Sequence, residues 1–471
     1  MKGKVILLAL SLIVLIGYPT YYIKNVETPN EIQQIDKTQG YETKLFNGEV
    51  HKLNLIIDNH NWKNMLDNPL EEEYCSCDME IDGVLFEDVA IRTKGNTTLK
   101  IVAEDPNSDR YSFKVKFNKY NKEQTCFGLD EFALNNVLAD TTYVKEYLSY
   151  DLFHYMDVPA PLCTFMDISV NGRPWGFYVC VEAVDESFLE RNFGEDYGKL
   201  YKPEAEEVRN FAQNGNPESI YIKGEDLFYT NDDFESYSTI FETAKTDITD
   251  EDKTRLIQSI KVLNSGKEIE KVLDVDTVAR FWAVNNFLCN TDFYLTTSLH
   301  NFYLYEKDGV MSAIPWDYNL SFGTHNMGTT EETINYPIFD LPLMDFIKGR
   351  RPLYEKLMEV PEYKELYVKY LNEIMDEYFD LNRFNSEYTK LLNKINPYIE
   401  KDPSRFYSLE EINKGQETLK EYVKLRSKSI KGQIEGRIVY GDYDAYVDCS
   451  TMNIDDLGHQ KEYKEKWRLE G

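Results

Sequence analysis

Apolar and polar residues alternate in several short stretches of the first half of the chain. The alternation is strict from 111 to 117, where every second residue is aromatic or aliphatic and Lys114 and Lys116 lie between them. Because successive side chains of a strand point to opposite faces, this stretch predicts a strand with one apolar and one polar face. Residues 50–57 and 84–92 have a similar character and predict two further strands.

Turn residues separate the strand-like stretches. An Asn-Gly pair at 171–172 joins the stretches 165–170 and 176–181, and this pair strongly favours a hairpin turn. Residues 141–156 predict a helix that Asp140 caps. The first half of the chain is therefore predicted to form an antiparallel sheet of five or more strands with one embedded helix.

The second half of the chain has a helical pattern. Residues 275–288 predict one helix and 350–435 predict several, while 301–305 and 310–314 predict a hairpin. We therefore predict an α+β protein with two lobes, strand-rich and helical, and a cleft between them. The predicted segments are an anchor with its linker (1–44), a strand-rich N-lobe (45–185), a helical C-lobe (186–440) and a polar C-terminal tail (441–471).

The first residues of the chain predict a membrane segment. Lys2 and Lys4 precede an almost continuous apolar stretch from 5 to 23, which would span about 28 Å as a helix, close to the thickness of a bilayer core. Positive charge before this stretch places the N-terminus in the cytoplasm and the rest of the chain outside. We predict an uncleaved transmembrane anchor, with a cleaved signal peptide as the alternative.

Composition and charge narrow the function classes. Of 471 residues, 42% are hydrophobic and 14% aromatic, which is enough for a sizeable core and excludes wholesale disorder. The net charge of −30 would repel phosphate backbones, so nucleic acid is excluded as a general partner and basic macromolecules are favoured. The seven cysteines are scattered and odd in number, so they indicate no disulfide framework.

Two features on the strand-rich side are candidates for binding an anion. The turn that contains Arg92, Gly95 and Asn96 can expose backbone N–H groups to a phosphate, although most such turns are only turns. Lys114 and Lys116 share one strand face, and the alternative is that they form the solvated face of an edge strand.

Two carboxylates on the helical side are candidates for chemistry. Asp292 follows an apolar helix, and Asp317 lies in an apolar frame just after a strand. Because burying a bare charge is costly, such carboxylates either cap a structural element or hold a cation. With Asn301 they supply a base and hard oxygen ligands for Mg²⁺ or Mn²⁺, which phosphoryl transfer requires. The alternative is that Asp292 is a helix-end cap and Asp317 a turn former.

Taken together, these stretches of the sequence resemble the spore-coat protein H (CotH) kinase family, which consists of atypical bacterial protein kinases. The resemblance covers roughly residues 45 to 435, and no single stretch carries it alone. The matching stretches, in order, are 91–98 (similar to R-x-R-G-N-S-S), 112–117, 158–161, 170–185, 301–305 and 315–323, with a weaker similarity at 425–434.

The resemblance implies a two-lobed kinase-like fold and an ATP- and divalent-metal-dependent transfer of the γ-phosphate to serine or threonine of proteins. By position, Asp292 would be the catalytic base and Asp317 a metal ligand, with Asn301 as a second ligand for Mg²⁺ or Mn²⁺. Lys114 or Lys116 would contact the ATP phosphates, and the resemblance does not distinguish between them.

Further positions follow from the same resemblance. Glu146 on the predicted helix would pair with the phosphate-binding lysine, and Glu182 on the sheet is the rival. The turn that contains Arg92, Gly95 and Asn96 would lie on the nucleotide side. Two positions depart from the family pattern. Lys94 stands where the family usually has Arg, which loses bidentate geometry, and Asn319 stands where a second acid is common.

The leading hypothesis is thus an active protein kinase that is held at the membrane by its N-terminal helix, with its catalytic part outside the cytoplasm. A secreted or spore-surface location is the alternative. Its expected partners are ATP, the membrane and a basic, Ser-rich protein substrate of the surface or spore coat. The second hypothesis is a catalytically inactive, kinase-like scaffold or binding protein of the same surface.

Overall fold

The computed structural model describes residues 40–204, 223–295, 299–325, 328–343 and 347–459. All of them belong to one compact unit that begins at Lys37. The strands are β1 (Val50–Ile56), β2 (Cys75–Ile81), β3 (Val84–Lys94), β4 (Ser112–Lys116), β5 (Glu131–Asn135), β6 (Cys163–Val170), β7 (Arg173–Glu182), β8 (Lys199–Tyr201), β9 (Phe302–Lys307) and β10 (Val310–Pro315).

Helices follow and interrupt the strands. We call the residues from 186 onward the helical part. The helices are α1 (Tyr41–Lys44), α2 (Asn59–Asp67), α3 (Thr97–Glu104), α4 (Lys145–Tyr155), α5 (Glu186–Phe193), α6 (Ser238–Glu242), α7 (Asp250–Ser265), α8 (Val275–Phe287), α9 (Thr330–Ile334), α10 (Pro352–Met358), α11 (Pro361–Glu373), α12 (Leu381–Ile399) and α13 (Leu409–Ile434).

Seven strands form a closed barrel in the order β1-β2-β3-β4-β5-β7-β6. Alternate residues of these strands, such as Leu55, Phe113 and Ile168, are fully buried in one apolar cluster that fills the barrel. The alternation in the sequence of β4 thus matches its two faces: the apolar side chains point into the barrel, and Lys114 and Lys116 lie on the outer face.

The outer face of β7 is also apolar. Phe177 and Val179 belong to a second buried cluster, which they share with α4 and with helices of the helical part. Both faces of β7 are therefore buried, which explains why its sequence reads as a continuous apolar stretch instead of an alternating one. The barrel and the helical part share this second core.

A buried ion pair joins the barrel to the helical part. The Nη1 atom of Arg110, two residues before β4, lies 2.7 Å from Oδ2 of Asp402, in the turn between α12 and α13. Both side chains are fully buried. Arg110 also donates to the carbonyl oxygens of Asn136 and Phe177, and the Phe177 N–H donates to Asp402. This network fixes the position of β4 relative to the helices.

The predicted two-lobed kinase-like fold behind a transmembrane helix is wrong. The strands do not form an open sheet but a closed barrel, because β1 pairs in parallel with β6 as well as antiparallel with β2. The closing pair places Val50 opposite Phe165. Partners so distant in the sequence leave no signal in the local alternation from which the strands were predicted.

The membrane prediction is also corrected. No helix within the described ranges is both long enough and apolar enough to cross a bilayer. The predicted membrane-anchored localisation is therefore unsupported by the described residues. The stretch on which that prediction rested, residues 5–23, lies outside the described residues.

Several individual elements confirm their predictions. The helix predicted at 275–288 is α8, and the predicted hairpin is β9 and β10. The helix predicted at 141–156 is α4, which begins at Lys145 instead. The Asp140 side chain accepts hydrogen bonds from the backbone N–H groups of Thr142 and Lys145, and this turn delays the helix.

We expect Asp402→Asn to lower the free energy of unfolding by about 3 kcal/mol, because the variant leaves the Arg110 guanidinium buried without its counter-charge. Urea unfolding monitored by circular dichroism measures the change. The control is Asp67→Asn, which removes an exposed ion pair with Lys63 and should cost less than about 1 kcal/mol. Equal effects of the two substitutions would contradict a structural role for the Arg110–Asp402 pair.

Candidate active site

A cleft with a volume of about 1100 Å³ lies between the outer face of β3, β4 and β5 and the loops of the helical part. The barrel lines it with polar residues that include Lys94 and Lys114. The opposite wall contributes Asp292, Asn301 and Asp317. Residues that are distant in the sequence therefore face one another across a single space.

The two lysines of β4 share one carboxylate. The Nζ atom of Lys114 lies 2.6 Å from Oε1 of Glu131 on β5, and that of Lys116 lies 3.7 Å from Oε2. Because β4 lies between β3 and β5, these lysines are not on an edge strand. Their face lines the cleft instead of facing open solvent.

Lys94, at the end of β3, takes part in a network of polar side chains. Its Nζ donates to Oδ1 of Asn135 at 2.8 Å, and Nδ2 of Asn135 donates to Oε2 of Glu146 at 2.7 Å. Burial lowers the pKa of Lys94, and the negative charges of Asp317 and Glu146 oppose this shift. Lys94 is thus the cation that balances two carboxylates.

The two carboxylates near Lys94 are both hard to ionise. The pKa of Glu146 is raised to about 7, chiefly by burial and then by the charge of Asp317, while the hydrogen bond from Asn135 opposes the shift. Burial also raises the pKa of Asp317, and Lys94 opposes that shift. Perturbed groups of opposite charge that converge in a cleft are typical of functional sites.

Asp292 is held by its neighbours. Its Oδ1 lies 3.0 Å from Nε2 of His300 and 3.4 Å from Nε2 of His325. Nδ2 of Asn301 donates to Oδ2 of Asp292 at 3.1 Å. The hydroxyl of Thr291 lies 3.0 Å from the other ring nitrogen of His325. These contacts fix the orientation of the carboxylate.

The backbone at Asn301 and Asp317 is left-handed. Their φ angles are 59° and 62°, a region that Asn and Asp adopt more readily than other non-glycine residues. The N–H of Trp316 donates to the carbonyl oxygen of Asn301, and the N–H of Asp317 donates to the hydroxyl oxygen of Tyr150. These hydrogen bonds hold both residues in place at the cleft wall.

The turn after β3 leads directly into a helix. Gly95 has a φ of 124°, and a Cβ there would lie only 3.0 Å from Oγ1 of Thr98, so glycine suits this position. Asn96 precedes α3, whose first turn lines the cleft. The N-terminus of a helix favours an anion. Arg92 also lines the cleft, where it pairs with Glu72 and donates to the Thr93 carbonyl.

Glu182, the rival partner for the phosphate-binding lysine, does not line the cleft. It is fully buried, where Arg191 lies 2.6 Å from it and the N–H of Leu162 and the hydroxyl of Tyr41 donate to it. Glu146 does line the cleft but contacts Lys94 through Asn135 instead of bonding to Lys114 or Lys116. Lys114 and Lys116 form their ion pairs with Glu131 instead.

The donor set fits a hard divalent cation. Asp317, Asn301 and Asn319 all line the cleft, and their side chains carry carboxylate and amide oxygens. Mg²⁺ prefers one or two carboxylates and keeps several waters. Within the described ranges, no group of three or more His, Cys, Asp or Glu residues that is able to hold a metal occurs.

Sequence reasoning missed several cleft residues. Lys202 and Lys245 stand alone in the sequence, and Glu131 becomes a partner of Lys114 only when β4 and β5 pair. His300 was detectable, because it directly precedes Asn301 in a stretch that was already singled out. His325 follows the 315–323 stretch by two residues.

Lysines that face carboxylate and amide oxygens across one cleft are typical of proteins that bind phosphate together with a metal ion. The family described as CotH kinase protein matches residues 91–430, which is well over half of the chain. The chain therefore belongs to the CotH kinase family, as the resemblance indicated. It is also similar to the inner spore coat protein H of Bacillus subtilis (strain 168), with 23% identity over 325 residues, covering 67% of this chain and 81% of that protein.

We expect the stability gained by Glu146→Gln to grow as the pH rises. The pKa of Glu146 is about 7 in the folded chain against an ordinary value of 4.5. Below 4.5 the group is protonated in both states, and between 4.5 and 7 only the unfolded state ionises, so the parent loses stability. The gain should reach about 3 kcal/mol above pH 7.

Urea unfolding of the parent and Glu146→Gln between pH 4.5 and 8 measures this difference. Glu400→Gln is the control, since its side chain is exposed. A difference between the parent and Glu146→Gln that stays constant over the pH range would contradict the raised pKa.

Proposed function

We propose that the protein is a kinase that transfers the γ-phosphate of ATP to serine or threonine residues of proteins. The observation that carries the proposal is the convergence of Lys94, Asp317 and Asp292 on one cleft. Membership of the CotH kinase family supports it. Phosphoryl transfer requires a positive charge near the phosphates, a carboxylate that can bind the metal ion and a second, well-oriented carboxylate that can act as a base.

Asp317 and Asn301 are the proposed ligands of Mg²⁺ or Mn²⁺, with Asn319 beside them. The bound ion would neutralise charge on the ATP phosphates. An amide oxygen at Asn319 carries no charge, so this chain would bind the ion through fewer carboxylates than relatives with a second acid. The raised pKa of Asp317 would fall on metal binding, because a nearby cation favours the ionised carboxylate.

The barrel lysines are the proposed phosphate contacts. The charge of Lys94 interacts with those of Asp317, the proposed metal ligand, and Glu146. Lys114 is held at 2.6 Å by Glu131. Both lysines would neutralise phosphate oxygens as point charges, and Glu146 would keep Lys94 in position through Asn135. Backbone N–H groups near Gly95 and Asn96 would add further contacts.

Asp292 is the proposed catalytic base. In the transfer, the acceptor hydroxyl oxygen bonds to the γ-phosphorus while the bond from that phosphorus to the bridging oxygen breaks, which releases ADP. Asp292 takes the hydroxyl proton. His300 and Asn301 hold the Asp292 carboxylate in one orientation, which is the preorganisation that a general base needs.

The acceptor is proposed to be a basic, Ser-rich protein of a spore coat or cell surface. The relative from Bacillus subtilis is named as an inner spore coat protein. The net charge of −30 would attract a Lys- or Arg-rich segment. Substrate attraction would therefore come from the overall field of the protein as well as from the cleft.

We expect Asp292→Asn and Asp317→Asn each to lower the transfer rate by about 100-fold or more, since each removes a group that acts in the transition state. The assay follows labelled phosphate from ATP to a basic Ser-rich peptide with Mg²⁺ or Mn²⁺. Asp308→Asn is the matched control, because Asp308 is an exposed turn residue of the β9–β10 hairpin.

Two results would contradict this assignment. Parent-like rates in both variants would remove Asp292 and Asp317 from the chemistry. Absence of transfer with either metal, together with no rise in melting temperature on adding ATP, would favour a catalytically inactive binding protein instead.

We expect a basic acceptor peptide to be phosphorylated faster than a neutral one at low salt, with the advantage shrinking as the salt concentration rises. The reason is that long-range attraction by the acidic protein is screened within about 10 Å at 0.1 M salt. Rates measured from 20 to 500 mM NaCl with two peptides of equal length test this. Equal rates at low salt would contradict electrostatic steering.

A further inference from the structure

Two lysines of the helical part face the barrel lysines across the cleft. Lys202 follows β8, and Lys245 follows α6 by three residues. An isolated bridge pairs Tyr201 with Ala244, and the N–H of Lys245 donates to the carbonyl oxygen of Leu200 at 2.8 Å. Since the bridge fixes these two chain segments side by side, Lys202 and Lys245 reach the same part of the cleft wall.

We call Lys94, Lys114, Lys202 and Lys245 the cleft lysines. Burial is the main cause of the lowered pKa of both Lys245 and Lys94, and the positive charges of Lys202 and Lys114 add to each shift. Lys202 and Lys114 are therefore each near enough to repel both Lys94 and Lys245. Carboxylates such as Glu131, Glu146 and Asp317 line the same cleft, so the lysines and acids alternate within it.

Two of the cleft lysines have acidic partners, and Lys245 does not. Glu131 pairs with Lys114 at 2.6 Å, and Glu204 pairs with Lys202 at 3.3 Å. Lys245 makes no ion pair and no side-chain hydrogen bond with any residue in the described part of the chain. An exposed lysine at the rim of the cleft thus keeps its charge available for a ligand.

Lys199, the first residue of β8, is a nearby lysine whose side chain is bound within the protein. Its Nζ donates to the carbonyl oxygen of Asp247 at 2.7 Å and lies 3.5 Å from Asp252. It does not line the cleft. Lys199 on β8 therefore has its partners within the protein. Lys202, the first residue after β8, faces the barrel lysines instead.

We propose that Lys202 and Lys245 bind the outer phosphates of a nucleoside triphosphate from the helical side of the cleft, opposite Lys94 and Lys114. This inference rests on the proposed function and extends it, because it makes the cleft selective for the number of phosphates. A nucleotide with one phosphate reaches fewer of the cleft lysines, so it gains less from them. A triphosphate, with about four negative charges, neutralises the whole set.

We expect the double variant Lys202→Ala/Lys245→Ala to lose at least about tenfold in affinity for ATP and to bind AMP as the parent does. Isothermal titration calorimetry of the full chain with ATP, ADP and AMP in the presence of Mg²⁺ measures this. Lys199→Ala is the matched control and should leave all three affinities unchanged. Lys245→Arg, which keeps the charge, should retain the ATP affinity that Lys245→Ala loses.

Folding of the variants is checked by their melting temperatures without nucleotide, which should stay close to that of the parent, because Lys245 makes no ion pair in the described part of the chain and the Lys202–Glu204 pair is partly exposed. An equal loss for ATP and AMP, or parent-like affinity for ATP in the double variant, would overturn the inference and leave the kinase proposal intact. Absence of binding of any nucleotide by the parent would overturn the proposed function and this inference with it.

Discussion

The buried ion pair between Arg110 and Asp402 is the contact on which the cleft depends. It fixes the start of β4 against the turn between two long helices, and β4 carries Lys114 on its outer face. Because both charges lie out of water, the pair is stable only as a complete network with its backbone partners. The barrel and the helical part are thereby held in one geometry, and the two walls of the cleft keep their spacing.

Local sequence patterns predicted the elements but not their closure. The alternation in β4 and the helical spacing of α8 are visible within a few residues, so both were predictable. The parallel pairing of Val50 with Phe165 closes the barrel and depends on contacts between distant segments. Such pairing is decided by packing of the assembled core, which no window of the sequence reports.

The residues of the candidate site were also only partly predictable from the sequence. Asp292, Asn301 and Asp317 stand out because polar residues in apolar surroundings are unusual, and all three line the cleft. Lys202 and Lys245 carry no such signal, since isolated lysines are common on any surface. Their arrangement follows from a single bridge between β8 and the segment after α6. The acidic and amide side chains of the helical wall were thus predictable from the sequence, whereas the two lysines on the same wall were not.

The most direct test of this account is a crystal structure of the protein with a non-hydrolysable ATP analogue and Mg²⁺. The account predicts the ion on Asp317 and Asn301, with the phosphates between Lys94 and Lys114 on the barrel side and Lys202 and Lys245 on the helical side. An analogue bound outside this cleft, or phosphates that approach none of these lysines, would contradict it.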